Sequence, residues 1–477
     1  MMMGHMEKLG MEIYPHLPHQ LKNLACSFEG YRLRRLRFGG EHDKYLDWLE
    51  KSQWWSLEEQ RSYQLDQLRL VVASAEKNVP YYRELFKKIG FCSQDLNSIE
   101  DLPLLPILQK VEVQKYNQSF VSEGLSRKEM VKYSTSGTTG TPLSIMTTPS
   151  CIQKYFALPW RQKSWFNVNK NMSHASFNGR QIIPQKQQHP PFWCQNWAGR
   201  QTFFSIYHMS PANLPAYAKE LMYRREYVVG YPSSLYIMSK YLLEENIRLP
   251  WRPIAVFTSS ETLLDNQREA ISQAFQAPVA DYYGMGEMVS SACECSHGRI
   301  HFDFEVGIVE VVPVGDEPNV GRMICTGLIN DAMPFIRYDT QDIVQLSCGE
   351  CPCGRRGLAA EKIDGRVESF IRTPEGLLIK RISSIFRDLP GIREGQIIQT
   401  EIDMLQIIIV KAPTFSQREE DELFGRVRSK LGLSMRVEVE YVEQIPRERN
   451  GKLRAVISKL NKDIEIPPGE KASRGVL

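Results

Sequence analysis

The chain has 477 residues, enough for one large domain, a smaller one and a sizeable buried core. Lys and Arg number 59 against 56 Asp and Glu, and a net charge of +3 excludes an electrostatic grip on nucleic acid as the main business. Hydrophobic residues at 42% and charged residues at 24% exclude a disordered chain or a coiled-coil rod, and no apolar run reaches the roughly 18 residues that a membrane span needs.

Residues 1–10 contain Gly4-His5-Met6 and no apolar signal core, and read as a disordered tag remnant. With only 10 cysteines and no signal peptide, the expected setting is the reducing cytoplasm. From 11 to 118 apolar residues recur at three and four spacing, which predicts a packed helical entry. Residues 132–147 are a Ser/Thr/Gly-rich loop running into a strand-like Leu143-Ser144-Ile145-Met146. From 155 to 241 amphipathic helices alternate with aromatic loops. Ile254-Ala255-Val256-Phe257 then reads as a buried strand ending in the polar turn Thr258-Ser259-Ser260-Glu261. Strand, turn and helix in repetition predict a layered α/β domain. Strand character at 306–312, 323–326 and 342–346 predicts a change to antiparallel pairing. After residue 365 come a hairpin turned at Pro374-Glu375-Gly376, strands at 396–399 and 405–410, a helix at 416–431 and a strand at 436–442. The expected organisation is therefore a large α/β domain over 11–364, a small α+β domain over 365–465 and a disordered tail over 466–477.

The densest local signal is Tyr133-Ser134-Thr135-Ser136-Gly137-Thr138-Thr139-Gly140-Thr141-Pro142. Two glycines let successive N–H groups converge on an anion, and six hydroxyls add donors able to follow a phosphate through a reaction. The Gly-Lys-Ser/Thr ending of the nucleotide P-loop is missing.

This loop resembles the S-G-T-T-G phosphate loop of the adenylate-forming superfamily, and four further stretches fit that family in order. Tyr283-Gly284-Met285-Gly286-Glu287 resembles Y-G-x-T-E, whose ring lines the adenine and acyl pockets and whose glutamate helps hold magnesium. Arg337-Tyr338-Asp339-Thr340-Gln341-Asp342 resembles R-Y-x-T-x-D, whose last aspartate accepts from the ribose hydroxyls. Gly365-Arg366-Val367-Glu368 resembles the hinge stretch, and Pro446-Arg447-Glu448-Arg449-Asn450-Gly451-Lys452 the P-R-x-x-x-G-K loop. The last lysine of that loop reaches the carboxylate and the α-phosphate.

The resemblance covers roughly residues 60–460 and is nearest to the phenylacetate-CoA ligase and CapK-like branch. It implies a large multi-subdomain adenylate-forming N-terminal domain, a small mobile C-terminal domain swinging at Glu368, and an ATP-dependent, AMP-forming acid ligase. It also implies Lys452, Glu287 and Thr138 as catalytic. Ser134, Ser136, Gly137, Thr138, Thr139, Gly140, Ser260, Glu261, Tyr282, Tyr283, Gly284, Met285, Gly286, Asp342 and Arg366 are implied for ATP. Three positions depart from the family: Gly286 stands for a threonine, Leu143 for a lysine found in many members, and Glu368 for an aspartate. The expected partners are ATP with magnesium, a carboxylic acid, and a CoA or carrier thiol; no nucleic acid is expected, and a homodimer is compatible with the reading. The CapK side, linked to polysaccharide, implies an amine acceptor as the alternative. A nucleotide-binding relative without turnover is the rival that Gly286 supports.

Two knuckles, Cys293-Glu294-Cys295-Ser296-His297-Gly298-Arg299-Ile300-His301 and Cys348-Gly349-Glu350-Cys351-Pro352-Cys353, offer seven sulfur or imidazole ligands for a tetrahedral zinc. The resemblance selects Cys295, His301, Cys351 and Cys353, leaving Cys293, His297 and Cys348 as spares. Such a closed site is structural, and no basic run accompanies it to suggest a nucleic-acid ribbon. An aromatic-rich stretch (Trp165, Phe177, Gln181, Phe192, Trp193, Trp197, Phe203, Phe204, Tyr207, His208) is divided between acyl pocket and core packing.

Overall fold

The computed structural model describes residues 13–134, 143–314, 319–366, 371–374, 378–379, 382–386, 389, 391–432, 434–448 and 451–460. The chain divides into two compact units, one built from Met1–Arg34, Lys170–Val279 and Glu368–Ile464, the other chiefly from Arg35–Asn169 and Ala280–Val367.

In the second unit, helices Gly40–Ser52, Leu57–Asn78 and Pro80–Ile89 form the expected helical entry. The Leu57–Asn78 helix starts where a start signal stands: the Ser56 hydroxyl accepts the Glu59 N–H at 3.2 Å, and the Glu59 carboxylate accepts the Ser56 N–H at 2.7 Å. Its Leu68, Val71, Val72 and Ala75, at helical spacing, are buried. The helix stops before Pro80, which opens the next one. The sheet beside these helices runs Gly307–Pro313, Val320–Gly327, Tyr338–Leu346, Ala359–Arg366, Ile300–Phe302, Ser291–Glu294 and Val279–Gly284, antiparallel throughout.

The first unit holds strands in the order Val256–Ser259, Tyr227–Gly230, His174–Asn178, Gln201–Ser205 and Trp193–Asn196. The first four are parallel and the last antiparallel. Helices Leu214–Leu221, Pro232–Glu244 and Asp265–Phe275 cover them, and Phe177, Phe204, Tyr217, Leu235, Met238 and Ile271 fill the core. The strand read at 254–257 lies two residues later. Thr258 pairs with Gly230, so the ladder runs into the polar residues, while Ile254 is left exposed.

The C-terminal part is a four-stranded sheet, Arg436–Tyr441, Met404–Lys411, Ile392–Glu401 and Val456–Ser458, with helix Gln417–Leu431. Leu405, Ile407 and Ile409 alternate inward, each 0% exposed, and meet Leu423, Val427 and Leu431 of that helix in one core. The helix begins after Ser416, whose N–H is held by Glu419 at 3.1 Å. Ile371–Arg372 and Leu378–Ile379 pair across the expected hairpin, whose Glu375 and Gly376 lie outside the described residues.

Candidate active site and metal knuckle

The strands flanking the Ser/Thr/Gly-rich loop form a ribbon: Val131–Ser134 pairs antiparallel with Ser144–Thr147, and Ser134 faces Ser144. Ser136, Gly137, Thr138, Thr139 and Gly140 lie outside the described residues, as do Glu368 and the Arg366 side chain. By register Arg366 stands opposite Asp342 on the neighbouring strand.

Tyr282, Tyr283 and Gly284 close the strand Val279–Gly284, and Met285, Gly286 and Glu287 follow in a turn. The Tyr283 hydroxyl donates to Asp342 Oδ2 at 2.6 Å. Burial first, and the adjacent Asp342 carboxylate second, hold that phenol well above its ordinary pKa, so it stays a donor. The turn is itself anchored. Tyr155 of helix Pro149–Ser164 accepts the Met285 N–H at 2.8 Å and donates to the Ser290 carbonyl at 3.0 Å. Glu287 is buried, and its Oε1 accepts the Tyr338 hydroxyl at 3.3 Å. Tyr283, Asp342, Arg366 and Glu287, distant in sequence, thus share one sheet and its adjoining turn.

Lys452, Ser260 and Glu261 belong to the other unit. The Lys452 Nζ lies 6.0 Å from the centroid of the Tyr231 ring. Gly451 before it has φ +80°, and a Cβ there would come within 2.5 Å of Ile206 Cδ1 and 3.0 Å of Gly179 Cα. A glycine is needed on both counts, and the close approach seats the lysine loop against residues 179 and 206–207. Ser260 carries φ +73°, in the left-handed region that non-glycine residues rarely adopt. Glu261, read from sequence as an ATP contact, spends its oxygens on the protein: Oε1 accepts the Leu453 N–H at 2.8 Å and the Ser233 hydroxyl at 3.1 Å, and Oε2 accepts the Ser233 N–H at 3.0 Å.

Of the seven knuckle candidates, Cys295, His301, Cys351 and Cys353 bring their ligand atoms within 4.8 Å of one another. Sγ of Cys295 and Cys351 are 3.7 Å apart, and Cys353 Sγ is 3.3 Å from His301 Nε2. A tetrahedron with zinc–sulfur bonds of about 2.3 Å has edges of about 3.8 Å, so the spacing suits one ion. Burial, then Arg355, Arg161 and Arg299, lowers the His301 pKa to about 4, which keeps the imidazole neutral as a ligand must be. Burial pushes the Cys353 thiol up, but the Arg355 N–H, the Cys351 thiol and the Arg355 guanidinium outweigh it and leave the pKa lowered. The spares go elsewhere. Cys293 turns to the Leu158 carbonyl and Asp303, exposed Cys348 accepts from Asn319, and exposed His297 meets Ser296.

Half of the aromatic stretch is core: Phe177 and Phe204 stack at 4.6 Å and Phe192 stacks on His208 at 5.1 Å, whereas half-buried Trp165 lies under the Arg355 guanidinium at 3.7 Å. Trp197 is 58% exposed.

Residues 371–459 match the family model described as the CapK C-terminal domain. Over 458 residues the chain is 26% identical to protein CapK of Staphylococcus aureus, with 94% of this chain and 99% of that protein covered. The chain is thus similar to CapK along nearly all of both sequences. It is also 22% identical to a phenylacetate-coenzyme A ligase of Thermus thermophilus, over 84% of this chain and 96% of that one. A 2-hydroxyisobutyryl-CoA ligase, solved in the postadenylation state with R3-HIB-AMP, superposes with TM-score 0.67 at 19% identity over 86% of this chain and 92% of that one. The chain therefore has the fold of that CoA ligase. No helix among its described residues is long and apolar enough to cross a membrane.

Proposed function

We propose that the chain is an ATP-dependent, AMP-forming carboxylic acid ligase. A carboxylate oxygen attacks the α-phosphorus of ATP, pyrophosphate leaves, and a thiol of CoA or a carrier then attacks the acyl carbon and expels AMP. The observation that carries this reading is the seat of Lys452, a cation presented on a loop that Gly451 allows to pack closely. Anion attacking anion needs charge neutralisation and in-line placement more than it needs a nucleophile from the protein.

In this reading Lys452 stabilises the five-coordinate α-phosphate, and the Ser/Thr/Gly loop holds the outer phosphates. Asp342, kept in place by Tyr283, takes the ribose hydroxyls. Magnesium needs few protein ligands beside phosphate oxygens, and the buried Glu287 carboxylate suits it. The related ligases named for CoA favour a thiol acceptor over an amine.

The test is acid-dependent exchange of labelled pyrophosphate into ATP across aromatic, aliphatic, hydroxy and amino acids, followed by product analysis with CoA or amines. Exchange with an acid supports the reading, and ATP binding without exchange for any acid favours a nucleotide-binding relative. Asp342→Ala is expected to weaken ATP binding about 10- to 100-fold, the loss of hydrogen bonds to a charged acceptor. Equal affinity by titration sinks the ribose role.

The knuckle is proposed as a closed zinc site whose ion would tie two loops of one sheet together, leaving no open position for chemistry. Cys353→Ser is expected to abolish stoichiometric zinc by metal analysis, with Cys348→Ser retaining it. Full zinc in the Cys353 variant refutes the ligand set.

A further inference from the structure

We propose that Glu261 is a positioning residue for Lys452, acting as the dock that holds the lysine loop in place. The inference rests on the ligase reading above and deepens it.

Three features meet at the start of helix Pro232–Glu244. Tyr231, its N-cap residue, turns its ring toward the Lys452 ammonium at 6.0 Å. Ser233, in the first turn, donates both its N–H and its hydroxyl to Glu261. Glu261 in turn accepts the N–H of Leu453, the residue after Lys452, at 2.8 Å. A carboxylate at a helix N-terminus is held by free N–H groups and by the dipole, which makes it a fixed acceptor.

Lys452 is thereby pinned on both sides. Before it, Gly451 packs within a Cβ's reach of Ile206 and Gly179; after it, Leu453 is tied to Glu261. The left-handed Ser260 turns the chain out of strand Val256–Ser259 just before Glu261. Backbone strain of this kind persists only where the surroundings over-determine it. An acid whose two oxygens both serve protein donors is badly placed to bind a polyanion and well placed to set a loop. At its other end the same helix holds Arg393 of the C-terminal part through Glu244, at 2.7 Å, so it clamps that part at two points.

Two measurements on the full chain test the assignment. The first needs no turnover: hydrogen exchange at the Leu453 amide is expected to accelerate about tenfold in Glu261→Ala and to stay near wild type in Glu261→Gln, whose carbonyl still accepts. Unchanged protection in the alanine variant overturns the dock. The second is pyrophosphate exchange with an acid that supports it. Glu261→Ala is expected to lower kcat about 10- to 100-fold with ATP affinity unchanged, and Glu261→Gln to restore most of it. Adding Glu261→Ala to Lys452→Ala is expected to cost nothing more, because the first residue acts through the second. Weakened ATP affinity at unchanged kcat makes Glu261 a nucleotide contact, and an additive loss in the double variant makes it a general structural residue; either overturns the proposal. Normal exchange in Glu261→Ala beside lost exchange in Lys452→Ala sinks the positioning role alone. Exchange that survives Lys452→Ala sinks the lysine's catalytic role, while the amide measurement still decides whether Glu261 holds the loop.

Discussion

Replacing Arg161 by alanine is expected to destabilise the protein by about 3–5 kcal/mol, read as a lower urea midpoint, because it strands two buried carboxylates. Arg161 is 3% exposed, and its guanidinium donates to Asp303 and, at 2.7 Å, to Glu305. Glu305 also accepts the Ser52 hydroxyl at 2.6 Å, and Asp303 accepts that of Ser291. Burial already raises the Asp303 pKa, with Arg161 pulling it back. Without the arginine the Asp303 carboxyl is pushed further up. A carboxyl whose folded pKa exceeds its unfolded value binds more protons folded than unfolded between the two, so its contribution falls as pH rises through that window. The deficit of Arg161→Ala is therefore expected to shrink when unfolding is measured at pH 5 in place of pH 8. A triple variant, Arg161→Met with Asp303→Asn and Glu305→Gln, is expected to be more stable than Arg161→Met alone, since no charge is left unpaired. A loss below about 1 kcal/mol at pH 8 refutes the argument. The network also has a place in the site. Arg161 shares helix Pro149–Ser164 with Tyr155, the anchor of the Met285 turn, and Asp303 follows strand Ile300–Phe302, which carries His301.

That network shows where sequence reading stops. A lone arginine in a helix reads as a solvated position, and its partners stand 142 and 144 residues away. The Glu261 bond to Leu453 spans 192 residues and ends on a backbone N–H, which no side-chain pattern announces. By contrast, the antiparallel strands near 307–346 and the alternating Leu405, Ile407 and Ile409 were legible, because period-two burial is written locally. The strand at 256–259 was misplaced by two residues since pairing with Gly230, not hydrophobicity, sets its end. The residue types of the knuckles alone left seven soft ligands, and the resemblance singled out the four that the fold brings together. Cys293 has the same residue type and nearly the same place as Cys295, and only the fold turns it toward Asp303. The aromatic stretch was ambiguous because rings for a core and rings for a pocket share one composition, and Phe177, Phe192 and Phe204 went to the core.

Lys452→Ala is expected to slow adenylation by about two to three orders of magnitude, the cost of removing one preorganised donor from developing negative charge. At the attack on the α-phosphorus the incoming carboxylate and the departing pyrophosphate both press charge on one centre, and a single cation there acts on the transition state more than on bound ATP. ATP affinity is therefore expected to change less than threefold while kcat falls, the signature of an interaction made mainly in the transition state. Thioester formation from a supplied acyl-adenylate is expected to keep its rate, because that step leaves the α-phosphate with no new bond to form. Lys452→Arg is expected to recover little. A planar fork does not replace a compact ammonium on a loop packed as closely as Gly451 lies against Ile206 and Gly179. Equal loss in both half-reactions would point to damage at the Lys452 loop itself, and full pyrophosphate exchange in the alanine variant would remove the lysine from the mechanism.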